Sequence, residues 1–316
     1  MTLLPAERTD NAVTEQAGLF SAEFKQRFLS YLNVAPASVR TYSRAIESFL
    51  QYVSDERIAA PSREDILRYL EHLIAEGKRP STVQTYLVAV RLFFRFLEQN
   101  RLAVNVAEHI KGPRLDKGHK KDCLTQGQTK DLMESVDTDT AYGRRDYAML
   151  LLMAACGLRT IEVVRANIRD MRKAGGRMVL FIQGKGRNER TEFVRLPDAV
   201  ERAIRASLAD RKGASPDDPL FVSYSRNNYG GRLTTRSVSS VAKNALRDIG
   251  IDSDVVTAHS LRHTAVTLAL LNGIPLQEVQ AFARHANIAT TLIYAHNLNM
   301  YRNRSEDAIC SAIFSN

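Results

Sequence analysis

From residue 24 onward, apolar side chains recur every three or four positions, the period of a helix with one buried face. Phe24, Phe28 and Leu32 share one such face, with Ser21 placed to cap it, and Val39, Tyr42, Ile46, Phe49 and Val53 line the next. Ser62-Arg63-Glu64-Asp65 has the form of a capping box and opens a third pattern through Ile66, Leu70 and Leu73. A fourth begins at Ser81, after Pro80, and runs through Val83, Leu87, Val90, Phe94 and Leu97. Four amphipathic helices joined by short connections predict a compact bundle.

The period is lost in HIKGPRLDKGHKK, between Glu108 and Asp122, where Gly, Pro and basic residues gather as in a linker. Thr125 and Gln128 are then spaced as a second capping box. Tyr147 to Ala155 is almost wholly apolar but too short to span a membrane, which predicts a buried core helix. Gly157 ends it and turns the backbone so that Arg159 stands at the start of the next helix. Segments near 168–172, 177–183 and 190–196 carry β-formers around Gly-rich turns, predicting a small antiparallel sheet with Lys185 at the tip of its second hairpin. Leu233 to Gly250 reads as a helix rich in hydroxyl groups at its start, and Ile309, Ile313 and Phe314 form an apolar stripe on the polar C-terminal segment. The expected class is mainly α with a small antiparallel sheet. Residues 1–18 are a flexible lead-in, 19–108 a helical domain, 109–123 a basic linker and 124–316 a mixed α/β domain.

Composition narrows the partner. A chain of 316 residues with 44% apolar and 25% charged residues is an ordinary globular one, long enough for two cores. A net charge of +9 is less ordinary and favours a polyanion, nucleic acid first. No apolar run reaches a membrane span and the N-terminus lacks the pattern of a signal peptide, so a cytoplasmic protein with no membrane partner is expected. Three scattered cysteines fit neither a disulfide framework nor a zinc motif. Arg40, Arg44, Arg79 and Arg91 remain on the bundle, with Thr82 and Gln84 at the start of its fourth helix, where free amides and polar side chains suit phosphates or base edges. Lys111 in the linker, and Arg236 and Ser239 in the first turns of the 233–250 helix, are further candidates for DNA contact. The plainer reading of each is a solvated surface or a cap.

His259 and Arg262, three apart, share one helical face that suits an oxyanion, and Tyr294 is then a candidate nucleophile. The string His259-Ser260-Leu261-Arg262-His263-Thr264, followed by Arg284-His285 and by TTLIYAH at 290–296, resembles the active-site signature of the tyrosine recombinases, the phage integrase family. The likeness extends upstream. Cys156-Gly157-Leu158-Arg159-Thr160-Ile161-Glu162 matches the family's Arg after a Gly-Leu pair, with Glu three residues on. Gly184-Lys185-Gly186-Arg187-Asn188-Glu189-Arg190-Thr191 matches its hairpin Lys.

The resemblance implies a catalytic set of Arg159, Lys185, His259, Arg262, His285 and Tyr294, with Glu162 orienting Arg159 or its helix. In that reading the two arginines hold the non-bridging oxygens of a phosphodiester and Lys185 protonates the leaving 5′ oxygen. His259 assists proton movement, His285 donates to a phosphoryl oxygen, and Tyr294 forms a 3′-phosphotyrosyl link without ATP, metal or cofactor. It also implies a core-binding N-terminal domain, double-stranded DNA at specific core sites, and a homotetrameric synaptic complex with exchange of the C-terminal helix. An accessory DNA-bending protein is a further expected partner. For the apolar stripe at the chain end, folding back on its own domain is the alternative to exchange. His263, Tyr301 and Tyr42 lie outside the matching positions and read as structural; His296 matches a common family His with no role assigned. Arg284 stands where the family usually has the Gly of a Leu-Gly-His string, implying a different turn or an added phosphate contact. Two other readings share the chemistry or the fold: a type IB topoisomerase, whose Ser-Lys ahead of the tyrosine is absent, and a DNA-binding regulator, which would have lost Tyr294 or an arginine. The histidines are not spaced as metal ligands on one short element.

Overall fold

The computed structural model describes residues 22–115, 123–184, 189–302 and 305–314. The chain divides into two compact units, Met1–Lys117 and Gly118–Asn316.

The first unit is built from α1 (Ala22–Tyr31), α2 (Pro36–Asp55), α3 (Arg63–Ala75) and α4 (Pro80–Gln99). The apolar faces read from the sequence meet in one core, in which Phe28, Phe49, Phe93 and Tyr69 are fully buried. Phe28 meets Phe93 edge to face at 5.3 Å, and the Tyr69 hydroxyl donates to Ser48 at 3.0 Å, so its polar end is satisfied inside the core. Ser62 and Asp65 close the expected capping box, the Ser62 amide donating to the Asp65 carboxylate at 2.8 Å. Two boundaries differ from expectation. Helix α4 starts at Pro80 rather than Ser81, because proline at the first helical position has its φ preset and no amide to orphan. Ile110 is fully buried in this core, so packing continues past Glu108 into the segment read as linker. The proposed Ser21 cap lies outside the described residues.

The second unit contains α5 (Gln126–Glu134), α6 (Ala141–Cys156), α7 (Thr160–Arg165), β1 (Met171–Ala174), β2 (Arg177–Ile182), β3 (Glu192–Arg195), α8 (Asp198–Ala209), α9 (Thr235–Asp248), α10 (Ala258–Leu271), α11 (Leu276–Ala283), α12 (Ile288–Arg302) and α13 (Ser305–Phe314). Thr125 and Gln128 cap α5 reciprocally. The apolar helix α6 is the centre of the core, packed between α8 and α10. Gly157 stops it in the left-handed region at φ 62°. The sheet is a meander in the order β1-β2-β3, both pairs antiparallel, with Met171 opposite Leu180 and Leu180 opposite Val194. Its first strand begins later than the β-formers suggested. Asp170 accepts from the Asn167 amide at 2.7 Å and closes a 3-10 turn over Ile168–Asp170 instead. Lys185 lies outside the described residues, so its hairpin tip is named here only by sequence. On α13, Ile309, Ile313 and Phe314 are 57%, 65% and 80% exposed, so the stripe is not folded back onto its own domain. Among the described residues no helix is long and apolar enough to cross a membrane.

Candidate active site

Four helix ends converge on the candidate residues. Gly157 turns the chain out of α6, and Arg159 becomes the residue before α7, where its backbone N–H donates to Glu162 Oε2 at 2.8 Å and its Nη1 to Glu162 Oε1 at 2.8 Å. Glu162 is fully buried, and Arg159 keeps 28% of its side chain exposed. Burial alone would raise the Glu162 carboxyl. The Arg284 charge, the Arg159 amide and the Arg159 guanidinium outweigh it and hold the group below the usual carboxylate range, hence ionised.

Arg262 rises from the first turns of α10 and is 2% exposed. Its Nη1 donates to the Gly157 carbonyl and its Nη2 to the Ala283 carbonyl, joining the ends of α6 and α11. Both are helix C-termini, whose carbonyls lack intrahelical partners and carry partial negative charge. Burial, with Arg159 and Arg284 nearby, pushes Arg262 down to about 9, still a cation at neutral pH. Arg284 closes α11 in the left-handed region at φ 53° and ψ 46°, a conformation costing a non-glycine residue roughly 1–2 kcal/mol. It makes no outward turn. Its side chain is 6% exposed and donates to Glu162 Oε2 at 3.0 Å, the Gly157 carbonyl at 3.0 Å and the Phe282 carbonyl at 2.8 Å.

Tyr294, on α12, is 7% exposed and packs with Val266, Val279 and Ala283. Burial pushes its phenol up to about 12, against the pull of Arg262 and Arg159. Its hydroxyl is hydrogen-bonded to His263 Nδ1. His263, read from the sequence as structural, lies with its ring 5.3 Å from the Tyr294 ring and 4.6 Å from that of His259, one turn back on α10. The signal was present, since residues four apart on a helix share the face already assigned to His259 and Arg262. The His285 ring is stacked 6.2 Å from Tyr294, and its Nδ1 is 2.9 Å from the hydroxyl of fully buried Thr291. Burial first, then Arg262, Arg159 and Arg284, push His285 down to about 4, so it is a neutral imidazole at pH 7. Either group can donate in that contact; in the tautomer where Thr291 donates to Nδ1, Nε2 carries the proton. The described part of the site thus groups Arg159, Glu162, Arg262, His263, Arg284, His285 and Tyr294, with His259 against His263. His296 is exposed on α12, and Tyr42 belongs to the first unit's core. Tyr301 and its surroundings are outside what is described.

The candidate DNA-facing residues are on surfaces. Arg40, Arg44, Arg79, Lys111, Arg236 and Ser239 are exposed, and Thr82, Gln84 and Arg91 are half-buried. Arg79 precedes α4, where its carbonyl accepts the amides of Thr82 and Val83. Among the described residues no three His, Cys, Asp or Glu side chains gather as metal ligands.

A buried phenol among arginines and histidines, on a helical domain with one three-stranded sheet, defines the class of the tyrosine recombinases. The chain belongs to the phage integrase family: the family's own profile matches residues 122–300, and that of the phage integrase N-terminal SAM-like domain matches residues 23–101. It is 32% identical to tyrosine recombinase XerC of Pelobacter propionicus, over 84% of this chain and 86% of that one. It is 30% identical to tyrosine recombinase XerD of Oceanobacillus iheyensis, over 82% and 87%. The fold is shared with the XerH site-specific recombinase bound to palindromic difH substrate in a post-cleavage complex, at a TM-score of 0.71 and 19% identity over 88% of this chain and 80% of that one. A lambda integrase dimer bound to a COC′ core site superimposes at a TM-score of 0.70, with 14% identity over 92% and 81%. The chain is accordingly a site-specific recombinase of the tyrosine type.

Proposed function

We propose that this recombinase cuts and rejoins double-stranded DNA through Tyr294, with Arg159, Arg262, His259, His285 and Lys185 serving the reaction. A phosphodiester resists attack because its oxygens repel the nucleophile and the alkoxide is a poor leaving group. Arg159, with its exposed edge, and Arg262 face the non-bridging oxygens, and the neutral His285 adds an Nε2–H donor. The Tyr294 oxygen attacks phosphorus, the bond to the 5′ oxygen breaks, and a 3′-phosphotyrosyl link forms. In the tautomer that leaves Nδ1 unprotonated, His263 would accept the phenol proton, with the His259 ring edge-on against it. Lys185, by its place in the hairpin sequence, is assigned the proton for the departing 5′ oxygen. Attack by a second 5′ hydroxyl reverses each step and seals the strand, with no external energy source.

The observation that carries this reading is the buried Tyr294 phenol, hydrogen-bonded to His263 and stacked beside His285, in the field of Arg262 and Arg159. The first unit would hold the duplex through Arg40, Arg44, Arg79, Thr82, Gln84 and Arg91, joined by Lys111, Arg236 and Ser239. The exposed Ile309, Ile313 and Phe314 suit a helix exchanged between subunits of a tetramer on DNA, acting in the cytoplasm. The test begins with a bound duplex selected from a random pool, then nicked near its centre to trap the covalent product. Wild-type protein should form a protease-sensitive adduct that persists in chelator, and Tyr294→Phe should form none. An adduct that survives Tyr294→Phe would mean another nucleophile.

A further inference from the structure

The Arg159–Glu162 pair poses a problem that Arg284 answers. A phosphate-holding guanidinium tied to a fully buried carboxylate is half neutralised before any substrate arrives. Arg284 Nη2 donates to Glu162 Oε2 at 3.0 Å, the oxygen that also accepts the Arg159 backbone N–H, while Arg159 Nη1 is on Oε1. Of the other Arg284 contacts, one goes to the Gly157 carbonyl, which also holds Arg262, and one to the Phe282 carbonyl in its own turn. A left-handed backbone is kept at this position although glycine would adopt it without strain, and the two terminal nitrogens of the side chain it carries donate inside the site. Three guanidinium charges against one carboxylate leave a net of two positive charges; without Arg284 one would remain.

We propose that Arg284 is a positioning residue for DNA cleavage: it adds a second, charged donor to Glu162 Oε2, so that the exposed edge of Arg159 stays available to the scissile phosphate and Arg262 stays anchored. The inference rests on the reading of Tyr294 as nucleophile. It touches no substrate atom, so its loss affects the chemical step more than DNA binding.

The experiment uses full-length protein with the nicked duplex, measuring single-turnover adduct formation at saturating DNA and, separately, the Kd for the intact duplex. Arg284→Gly should slow adduct formation about 10- to 100-fold, less than the loss of a donor on the reacting group itself, with Kd within about threefold of wild type. Arg284→Lys, which keeps a charge beside Glu162 but a single point of donation, should fall between the two. The double variant Arg284→Gly/Glu162→Gln restores the net of two charges and should be faster than Arg284→Gly alone, an interaction that a merely structural role would not produce. Wild-type rates in Arg284→Gly, no difference between Gly and Lys, or losses that multiply in the double variant would each overturn the proposal. Absence of an adduct from wild-type protein would instead sink the nucleophile assignment, and this inference with it.

Discussion

Replacing His263 by Phe probes a contact of the phenol to which the sequence reading assigned no catalytic role. A Phe ring keeps the edge-on packing against His259 and the tilted contact with Tyr294, whose centroids lie 4.6 Å and 5.3 Å from the His263 ring. It deletes the Nδ1 acceptor. A neutral hydrogen bond contributes about 1 kcal/mol net, and withdrawing an acceptor from a buried hydroxyl costs about 1–3 kcal/mol in all. For a domain of this size each kcal/mol moves the midpoint by about 2–4 °C. His263→Phe should therefore lower the melting temperature of the second unit by several degrees. Tyr294→Phe in the same background replaces the polar pair with two apolar rings and should recover most of the loss, a coupling of at least about 1 kcal/mol by a double-mutant cycle. On the chemical side, a lost proton acceptor should slow adduct formation by about 10²- to 10⁴-fold. Calorimetry on the four proteins and single-turnover adduct assays on the two that keep Tyr294 measure both. Additive destabilisation together with a wild-type adduct rate would refute the reasoning, because His263 would then neither hold the phenol nor receive its proton.

Four other outcomes follow from the geometry. Gly157→Ala should destabilise by about 1–3 kcal/mol, since φ 62° strains an L residue and the new Cβ would sit 3.2 Å from the Phe282 ring; an unchanged melting curve would contradict the turn described. His285 is held at about 4 against an ordinary 6.5, so between these values the unfolded chain binds a proton that the folded one refuses, and the stability present above pH 6.5 is lost as pH falls toward 4. His285→Gln should flatten that part of the stability profile in melts run from pH 7 to pH 4, and an equally steep variant would count against it. Burial pushes the Cys156 thiol up to about 12, so iodoacetamide at pH 7.5 should alkylate exposed Cys123 and Cys310 and spare Cys156, as peptide mass spectrometry would read. Truncation before α13 should leave binding to a single duplex intact and abolish higher assemblies on DNA; if sedimentation shows those assemblies undiminished, the exposed stripe is not the exchanged surface.

Local rules made most of the fold legible. The periods at Phe28–Leu97, the Ser62 and Thr125 boxes and the Gly157 stop are each decided within a few residues, where spacing and capping dominate. The 3-10 turn at Ile168–Asp170 was not, because a run of β-formers is silent about an Asp that closes on the amide three residues before it. The arginines and tyrosine of the site were readable through their order in the chain. His263 and Arg284 were readable only as neighbours of that order, since what each does depends on a partner, Tyr294 or Glu162, that is distant in sequence. Arg284 shows the limit most clearly. A substitution that looks like a change of turn keeps the left-handed turn and uses the position to carry a third guanidinium inward.

That third charge bears on how the proposed reaction would be accelerated rather than merely how DNA would be held. A scissile phosphodiester brings one negative charge, and the five-coordinate phosphorus formed by attack of a phenolate oxygen carries two. A pocket with a net of two positive charges attracts the doubly charged phosphorane more strongly than the singly charged substrate, and the gain grows with the pocket's net charge. Electrostatics therefore favour the reacting geometry over the bound substrate, which is the condition for lowering a barrier. A pocket holding only Arg159, Arg262 and Glu162, with a net of one positive charge, would keep about half of that preference. The burial of Arg262 and Arg284 amplifies the difference, because the surrounding medium screens it weakly. Glu162 then acts as a brake on excess charge as well as a clamp on Arg159. Glu162→Gln removes the carboxylate that clamps Arg159 and should therefore slow adduct formation, with Kd within about threefold of wild type as for Arg284→Gly.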